Sequence, residues 1–149
     1  AGPGKASREI LTFQLTNLAK KDTSLTVATR AARLQGIPAT IDSLKASNPW
    51  MNYFISYDPL ITARQVKVPV LILNGATDQQ VTPDQVPALV KAFRDGGNKD
   101  VTSRVFRDLN HLFVFDRIGF PGDYAKLVEP RVDAEVVGTL TEWLLKRMR

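Results

Sequence analysis

The chain has 149 residues, 44% hydrophobic and 23% charged, the size and balance of a globular domain able to bury a core. It contains no cysteine, which excludes disulfides, thiolate catalysis and cysteine-ligated metals while fitting any compartment. The net charge is +5, and the excess falls in residues 1–75, where nine Lys/Arg face four Asp/Glu; these cations are scattered from Lys5 to Lys67, so a solvated basic face is expected and a nucleic-acid partner is not.

Ala1-Gly2-Pro3-Gly4 has neither the basic start nor the apolar stretch of a signal peptide. No apolar run approaches the roughly 20 residues of a membrane-spanning helix. Residues 5–64 read as helices with short breaks. Ile10, Phe13, Gln14 and Leu18, with Leu11 and Leu15, give helical spacing in the first segment. Asp22 or Thr23 is expected to cap a second helix through Val27, Ala31 and Leu34, stopped by Gly36 and Pro38. Thr40 or Asp42 opens a short third one, which Asn48-Pro49 breaks. An aromatic stretch from Trp50 to Tyr57 ends at Asp58-Pro59.

From Val66 the pattern changes. Val68-Pro69-Val70-Leu71-Ile72-Leu73 is a short continuous apolar run, as expected of a parallel strand buried on both faces. A polar loop from Gly75 to Thr82 follows. Thr82 is then expected to cap a helix that ends at Gly96-Gly97, with Pro87 pushing its regular part later. Val101 to Phe106 reads as a second strand. Asp133 to Met148 is amphipathic, with Val136, Val137, Leu140, Trp143, Leu144 and Leu145 on one face and Lys146, Arg147 and Arg149 suited to the helix dipole at its end. Strand, helix, strand, helix implies a parallel, right-handed α/β unit. Two strands are few for such a sheet, so the expected fold class is α/β with a partial sheet, flanking helices and a helical segment before it.

Two residues stand out chemically. Asp78 lies in the loop after the first strand, and His111, the one histidine, in the loop after the second. A lone loop aspartate is most often a turn or cap residue, and a lone histidine most often structural. The pair says more. Loops following successive parallel strands lie at one sheet edge, where ligands of open α/β sheets bind, and the order Asp then His is that of the α/β-hydrolase relay.

Pro69-Val70-Leu71-Ile72-Leu73-Asn74-Gly75-Ala76-Thr77-Asp78-Gln79-Gln80-Val81 resembles the acid-bearing strand and loop of α/β-hydrolase serine esterases, and Asn110-His111-Leu112-Phe113 resembles their histidine loop. Tyr57-Asp58-Pro59-Leu60 and Glu142-Trp143-Leu144 are also similar to that family, and Ala1-Gly2-Pro3-Gly4 to the end of the strand following the nucleophile's helix. The resemblance implies a helical cap or connecting region over residues 1–64 and the C-terminal part of a hydrolase core over residues 65–149. It implies Asp78 and His111 as catalytic acid and base. Trp50, Tyr53, Phe54, Val81 and Leu112 are the implied substrate-pocket residues, although aromatics in such a helix more often pack against a core. The substrate would be a small acyl ester, with no cofactor and no metal.

The departure from the family is the nucleophile. No G-x-S-x-G occurs, and Ser7, Ser24, Ser43, Ser47, Ser56 and Ser103 all lack the strand-to-helix turn that exposes one. The expectation is a carboxylesterase-like fragment, inactive alone, whose partner is the missing N-terminal half or a second copy of the chain. The alternative is a non-catalytic half-hydrolase module that binds a partner or self-associates.

Overall fold

The computed structural model describes residues 5–128 and 130–148; Ala1-Gly2-Pro3-Gly4 and Arg149, both invoked above, lie outside the described residues. The described elements are α1 (Lys5–Lys21), α2 (Val27–Gln35), α3 (Ile37–Ser47), α4 (Pro49–Ser56), α5 (Pro59–Ala63), β1 (Val70–Gly75), α6 (Gln85–Asp95), β2 (Val101–Phe106), a 3-10 helix (Pro121–Lys126) and α7 (Ala134–Leu145). The backbone packs as two compact units, Ala1–Pro59 and Leu60–Arg149. No described helix is long and apolar enough to cross a membrane.

The first unit is helical. Ile37, Ile41 and Ile55 form its buried centre, with Leu11, Leu15, Leu34, Leu44 and Met51 packed on it. The inward stripe of α1 is therefore Leu11, Leu15 and the buried Ala19, one residue every turn, while Phe13 and Leu18 are exposed. The cap of α2 is Thr26, whose hydroxyl accepts the Thr29 N–H at 3.2 Å, not Asp22 or Thr23. Asp22 is occupied elsewhere: it accepts the Ser24 N–H and hydroxyl at 3.0 and 2.5 Å and the Arg33 guanidinium at 3.1 Å. Those Ser24 donors hold its carboxyl below the ordinary carboxylate range, with Arg33 adding to the effect. Gly36 ends α2 as expected, but Pro38 does not stop the chain: it sits in the first turn of α3, where its missing N–H costs nothing. Asn48 both ends α3 and caps α4, accepting the Trp50 and Met51 N–H groups at 2.8 and 3.4 Å.

The second unit holds a sheet of two parallel strands, paired from Val70↔Val101 to Gly75↔Phe106. Pro87 falls in the first turn of α6, which starts at Gln85 rather than at Thr82. β1 was expected to be buried on both faces, yet Val70 to Leu73 are only partly covered. On β2, Thr102 to Val105 are exposed. Phe106, Leu109 and Val136 form the buried centre, with Leu73 and Phe113 against it. The apolar stripe of α7 is wider than the cover available. Val136 is buried and Trp143 partly so, while Val137, Leu140, Leu144 and Leu145 are exposed. At 3.6 residues per turn, Val136 and Trp143 lie on one border of the stripe. Asp133 caps α7 by accepting the Glu135 N–H, and the Arg147 guanidinium donates to the Trp143 carbonyl near its end.

Asn98 fixes how β1 and β2 enter the sheet. It is 4% exposed. Its amide donates to the carbonyls of Val66 and Val68 at 3.1 and 2.8 Å, and its Oδ1 accepts the Asp100 N–H at 3.0 Å. Asp100 in turn accepts the Val70 N–H at 2.9 Å, the first rung of the strand pair. Removing this amide strands several polar groups at a cost of about 1–3 kcal/mol. Asn98→Ala is expected to lower the unfolding free energy by that amount in a urea titration; an unchanged midpoint would contradict the role.

Candidate functional site

β1 ends in Asn74 and Gly75, both buried, and delivers the chain into the turn that carries Asp78. The Asp78 N–H donates to the Gly75 carbonyl at 3.2 Å, closing the turn. The carboxylate is almost wholly buried, at 4% exposure. A charge there needs donors. Its Oδ1 accepts the backbone N–H groups of Gln80 and Val81 at 2.8 and 2.9 Å. Its Oδ2 lies 2.9 Å from His111 Nδ1. Asn74 approaches the same oxygen with its amide at 3.5 Å, a weak contact, and donates to the Val81 carbonyl at 3.1 Å. The Asn74 Oδ1 is buried with no partner among the described residues.

The histidine loop is built around Asn110, which is fully buried. Asn110 Oδ1 accepts the N–H groups of Leu112 and Val114 at 2.9 and 3.2 Å, and its amide donates to Asp116 at 3.3 Å. Two non-glycine residues of this loop take left-handed backbone, Asp108 at φ 56° and Phe113 at φ 55°. For a bulky residue this conformation is an outlier. Phe113 is kept in it by its N–H on the Asn110 carbonyl and by its ring, edge-on to Phe106 with centroids 6.1 Å apart. The Phe113 carbonyl then receives the N–H of Asp133, joining the loop to the start of α7.

The acid turn and the histidine loop are clamped together. Ala76 and Thr77 donate their N–H groups to the carbonyls of Phe106 and Leu109. The Thr77 hydroxyl lies 2.8 Å from the Leu109 carbonyl and 2.5 Å from that of Asp116, with one proton to share between them. Two glycines make this approach possible. A Cβ on Gly75 would stand 2.2 Å from the Leu109 carbonyl oxygen, and one on Gly119, itself at φ 69°, would stand 1.6 Å from that of Thr77.

Tyr124, on the 3-10 helix, closes the site from a third element. Gln80 donates its side-chain amide to the phenol oxygen at 3.4 Å. Burial pushes the Tyr124 phenol above its ordinary pKa; the Gln80 amide and the nearby His111 N–H pull against that, and the nearby Asp78 and Asp116 carboxylates add to it. The phenol is thus neutral at ordinary pH.

Of the residues singled out from the sequence, the structure brings Asp78 and His111 into contact and sets Val81 and Leu112 beside them. Val81 touches the carboxylate through its N–H, and Leu112 follows the histidine with 47% of its surface exposed. Trp50, Tyr53 and Phe54 lie on α4 in the other unit. They are exposed rather than packed in a core, with Trp50 stacked on Phe54 at 5.4 Å and Tyr53 on Tyr57 at 5.6 Å. A groove of about 800 Å³ lined by Phe115, Lys126, Val128, Val132 and neighbouring residues touches neither Asp78 nor His111. Among the described residues, no cluster of His, Asp and Glu has the make-up to hold a metal ion. Sequence inspection missed Tyr124 and Gln80; the segment Pro-Gly-Asp-Tyr-Ala-Lys carries no periodicity or motif to draw attention to it.

A parallel strand pair with flanking helices, carrying an acid after one strand and a histidine after the next, defines a part of the α/β-hydrolase class. Residues 20–146 match the model of the prolyl oligopeptidase family, an α/β-hydrolase family, and the chain belongs to it. It is also similar to Esterase EstD of Thermotoga maritima, with 31% identity over 90 residues, or 60% of this chain and 21% of that protein. The chain therefore covers about a fifth of the relative's length. No solved structure matches.

The glycine clamp generates a contrast. Gly75→Ala forces β1 away from the histidine loop and is expected to cost about 2–3 kcal/mol, as overpacking does. Gly138→Ala in α7, where an added Cβ meets nothing within 4 Å, is expected to stabilise by about 0.5–1 kcal/mol. Urea unfolding of both variants checks this; equal effects would contradict the close approach.

Proposed function

We propose that this chain supplies the acid and base of a serine hydrolase acting on a small acyl ester. Asp78 is the acid and His111 the base. The nucleophilic serine and the oxyanion-hole donors come from polypeptide outside these 149 residues. The observation that supports this is the Asp78 Oδ2–His111 Nδ1 contact at 2.9 Å, with the carboxylate buried and the imidazole 39% exposed. An Nδ1–H donated to the carboxylate leaves Nε2 as the basic nitrogen.

In this role Nε2 takes the serine hydroxyl proton as Oγ attacks the ester carbonyl carbon. The imidazolium that forms is stabilised by the Asp78 carboxylate. It then gives its proton to the departing alcohol oxygen as the C–O bond breaks. A water, deprotonated by Nε2 in turn, hydrolyses the acyl-serine and restores both groups. Residues 1–64 are assigned as the cap region, with Trp50, Tyr53 and Phe54 as its candidate acyl contacts, alongside Val81 and Leu112 near the histidine. The ester preference rests on the name of the matched relative, an esterase.

The second assignment, a non-catalytic module that binds the other half of a hydrolase or a second copy of itself, is favoured by one observation. Val105 on β2 and Val137, Leu140 and Leu144 on α7 leave 43–53% of their surface exposed. Apolar area of this kind is what a partner would cover.

A graft separates the two. Residues 60–149 replace the corresponding stretch of Esterase EstD, and hydrolysis of a short-chain nitrophenyl ester is followed. The folded graft is expected to be active, and His111→Ala within it to lose at least about 10³-fold in kcat/KM, as loss of a relay member does. A folded graft that hydrolyses the ester equally well with and without His111 would contradict the assignment.

A further inference from the structure

His111 sits on a small loop whose two arms close on each other. Leu109 on the first arm forms an antiparallel bridge with Phe115 on the second. Beside that bridge the Asp116 N–H donates to the Asp108 carbonyl at 2.8 Å. The loop is thus a unit of its own, and the approach of the imidazole to Asp78 depends on how that unit is held to the acid turn.

Thr77, the residue before Asp78, meets both arms at once. Its N–H donates to the Leu109 carbonyl at 3.0 Å. Its hydroxyl oxygen lies 2.8 Å from that same carbonyl and 2.5 Å from the carbonyl of Asp116, so one proton ties the two arms to the acid turn. Both distances are those of O–H···O bonds. The Thr77 carbonyl is in turn packed against Gly119, where no Cβ would fit. The residue is fixed at backbone and side chain alike.

We propose, on the acid–base assignment above, that Thr77 is a positioning residue for His111: its hydroxyl sets how closely Nδ1 approaches Asp78 Oδ2. A hydroxyl proton lets two oxygens come within 3 Å of each other, whereas a carbon and a carbonyl oxygen stay about 3.3 Å or more apart. A methyl at the Oγ1 position therefore pushes the Leu109 and Asp116 carbonyls outward by roughly 0.5–0.8 Å. His111 is two residues from Leu109 and moves with that arm. Its Nδ1 lies 2.9 Å from Asp78 Oδ2, so a shift of that size takes the pair to the edge of hydrogen-bond range or past it. The neutral ring then carries its proton on either nitrogen.

The test is ¹⁵N NMR on the 149-residue chain, where the single histidine gives unambiguous imidazole signals. In the wild type, the neutral ring is expected to be the Nδ1–H tautomer. The Thr77 hydroxyl proton is expected to exchange with water at least about tenfold more slowly than that of an exposed threonine. Thr77→Val keeps the shape and replaces the hydroxyl by a methyl; its imidazole is expected to become a mixture of tautomers. Thr77→Ser keeps the hydroxyl, and its imidazole is expected to stay Nδ1–H. A hydroxyl that serves the fold alone would lower the melting temperature of Thr77→Val and leave the tautomer as in the wild type; that result overturns the proposal. So does a Thr77→Ser ring as mixed as that of Thr77→Val. A wild-type Thr77 hydroxyl that exchanges as fast as an exposed one overturns it as well, a measurement that needs no variant. Each of these outcomes leaves the acid–base assignment standing. A wild-type ring lacking the Nδ1–H form overturns that assignment and this proposal together.

Discussion

The second unit is organised by the need to satisfy one carboxyl group held out of contact with water. A carboxyl group buried as Asp78 is can be accommodated only if both oxygens find hydrogen-bond partners. Two backbone N–H groups from its own turn meet one oxygen, and the imidazole of His111 meets the other. The first pair is local and follows from the turn itself. The second requires that two loops thirty-three residues apart be brought into register. The Gly75 approach to Leu109, the Thr77 hydroxyl between two carbonyls, the Asn110 scaffold and the left-handed Phe113 all serve that register. Strain in the histidine loop is a cost borne by the same packing that seats Phe106 and Val136.

The features that were legible in the sequence are those set by local chemistry. A continuous apolar run identified β1 and weak alternation identified β2, whose bounds, Val101 to Phe106, match the expected ones. Gly36, the Gly96-Gly97 pair and Asn48-Pro49 marked helix ends. Asp78 and His111 were found because a parallel topology forces loops after successive strands to one edge. What was not legible depended on competition or on tertiary contact. Asp22 has the chemistry of a cap, but Ser24 and Arg33 claim its carboxylate, so Thr26 takes the role. Pro38 reads as a helix stop and instead sits in a first turn, because nothing in one residue tells which side of a break it belongs to. The α7 stripe was predicted in full, yet how much of it would be covered depends on the surfaces facing it. Tyr124 was invisible because its partner Gln80 lies 44 residues away along the chain.

Membership of the prolyl oligopeptidase family and the match to a fifth of an esterase give the half-covered sheet a chemical context. Asp78 and His111 form one mechanical assembly here, held by β1, β2 and the start of α7. The serine of such a relay sits on a different strand and turn. Asp78 and His111 contact each other entirely within the second unit, so their geometry does not depend on the nucleophile's presence. The proposed chemistry does, because an imidazole without an activated hydroxyl beside it has no proton to move toward an ester.

The central claim is that Asp78 dictates which nitrogen of His111 carries the proton, and Asp78→Asn tests it most directly. The N–H groups of Gln80 and Val81 demand an acceptor at the Oδ1 position, so the new carbonyl takes that place and the new amide faces Nδ1. An N–H donor there forces Nδ1 to accept, and the neutral ring must then protonate on Nε2, the wrong nitrogen for a base. Imidazole ¹⁵N shifts of the wild-type and Asp78→Asn chains are expected to show Nδ1–H in the first and Nε2–H in the second. The same tautomer in both folded chains would contradict the account.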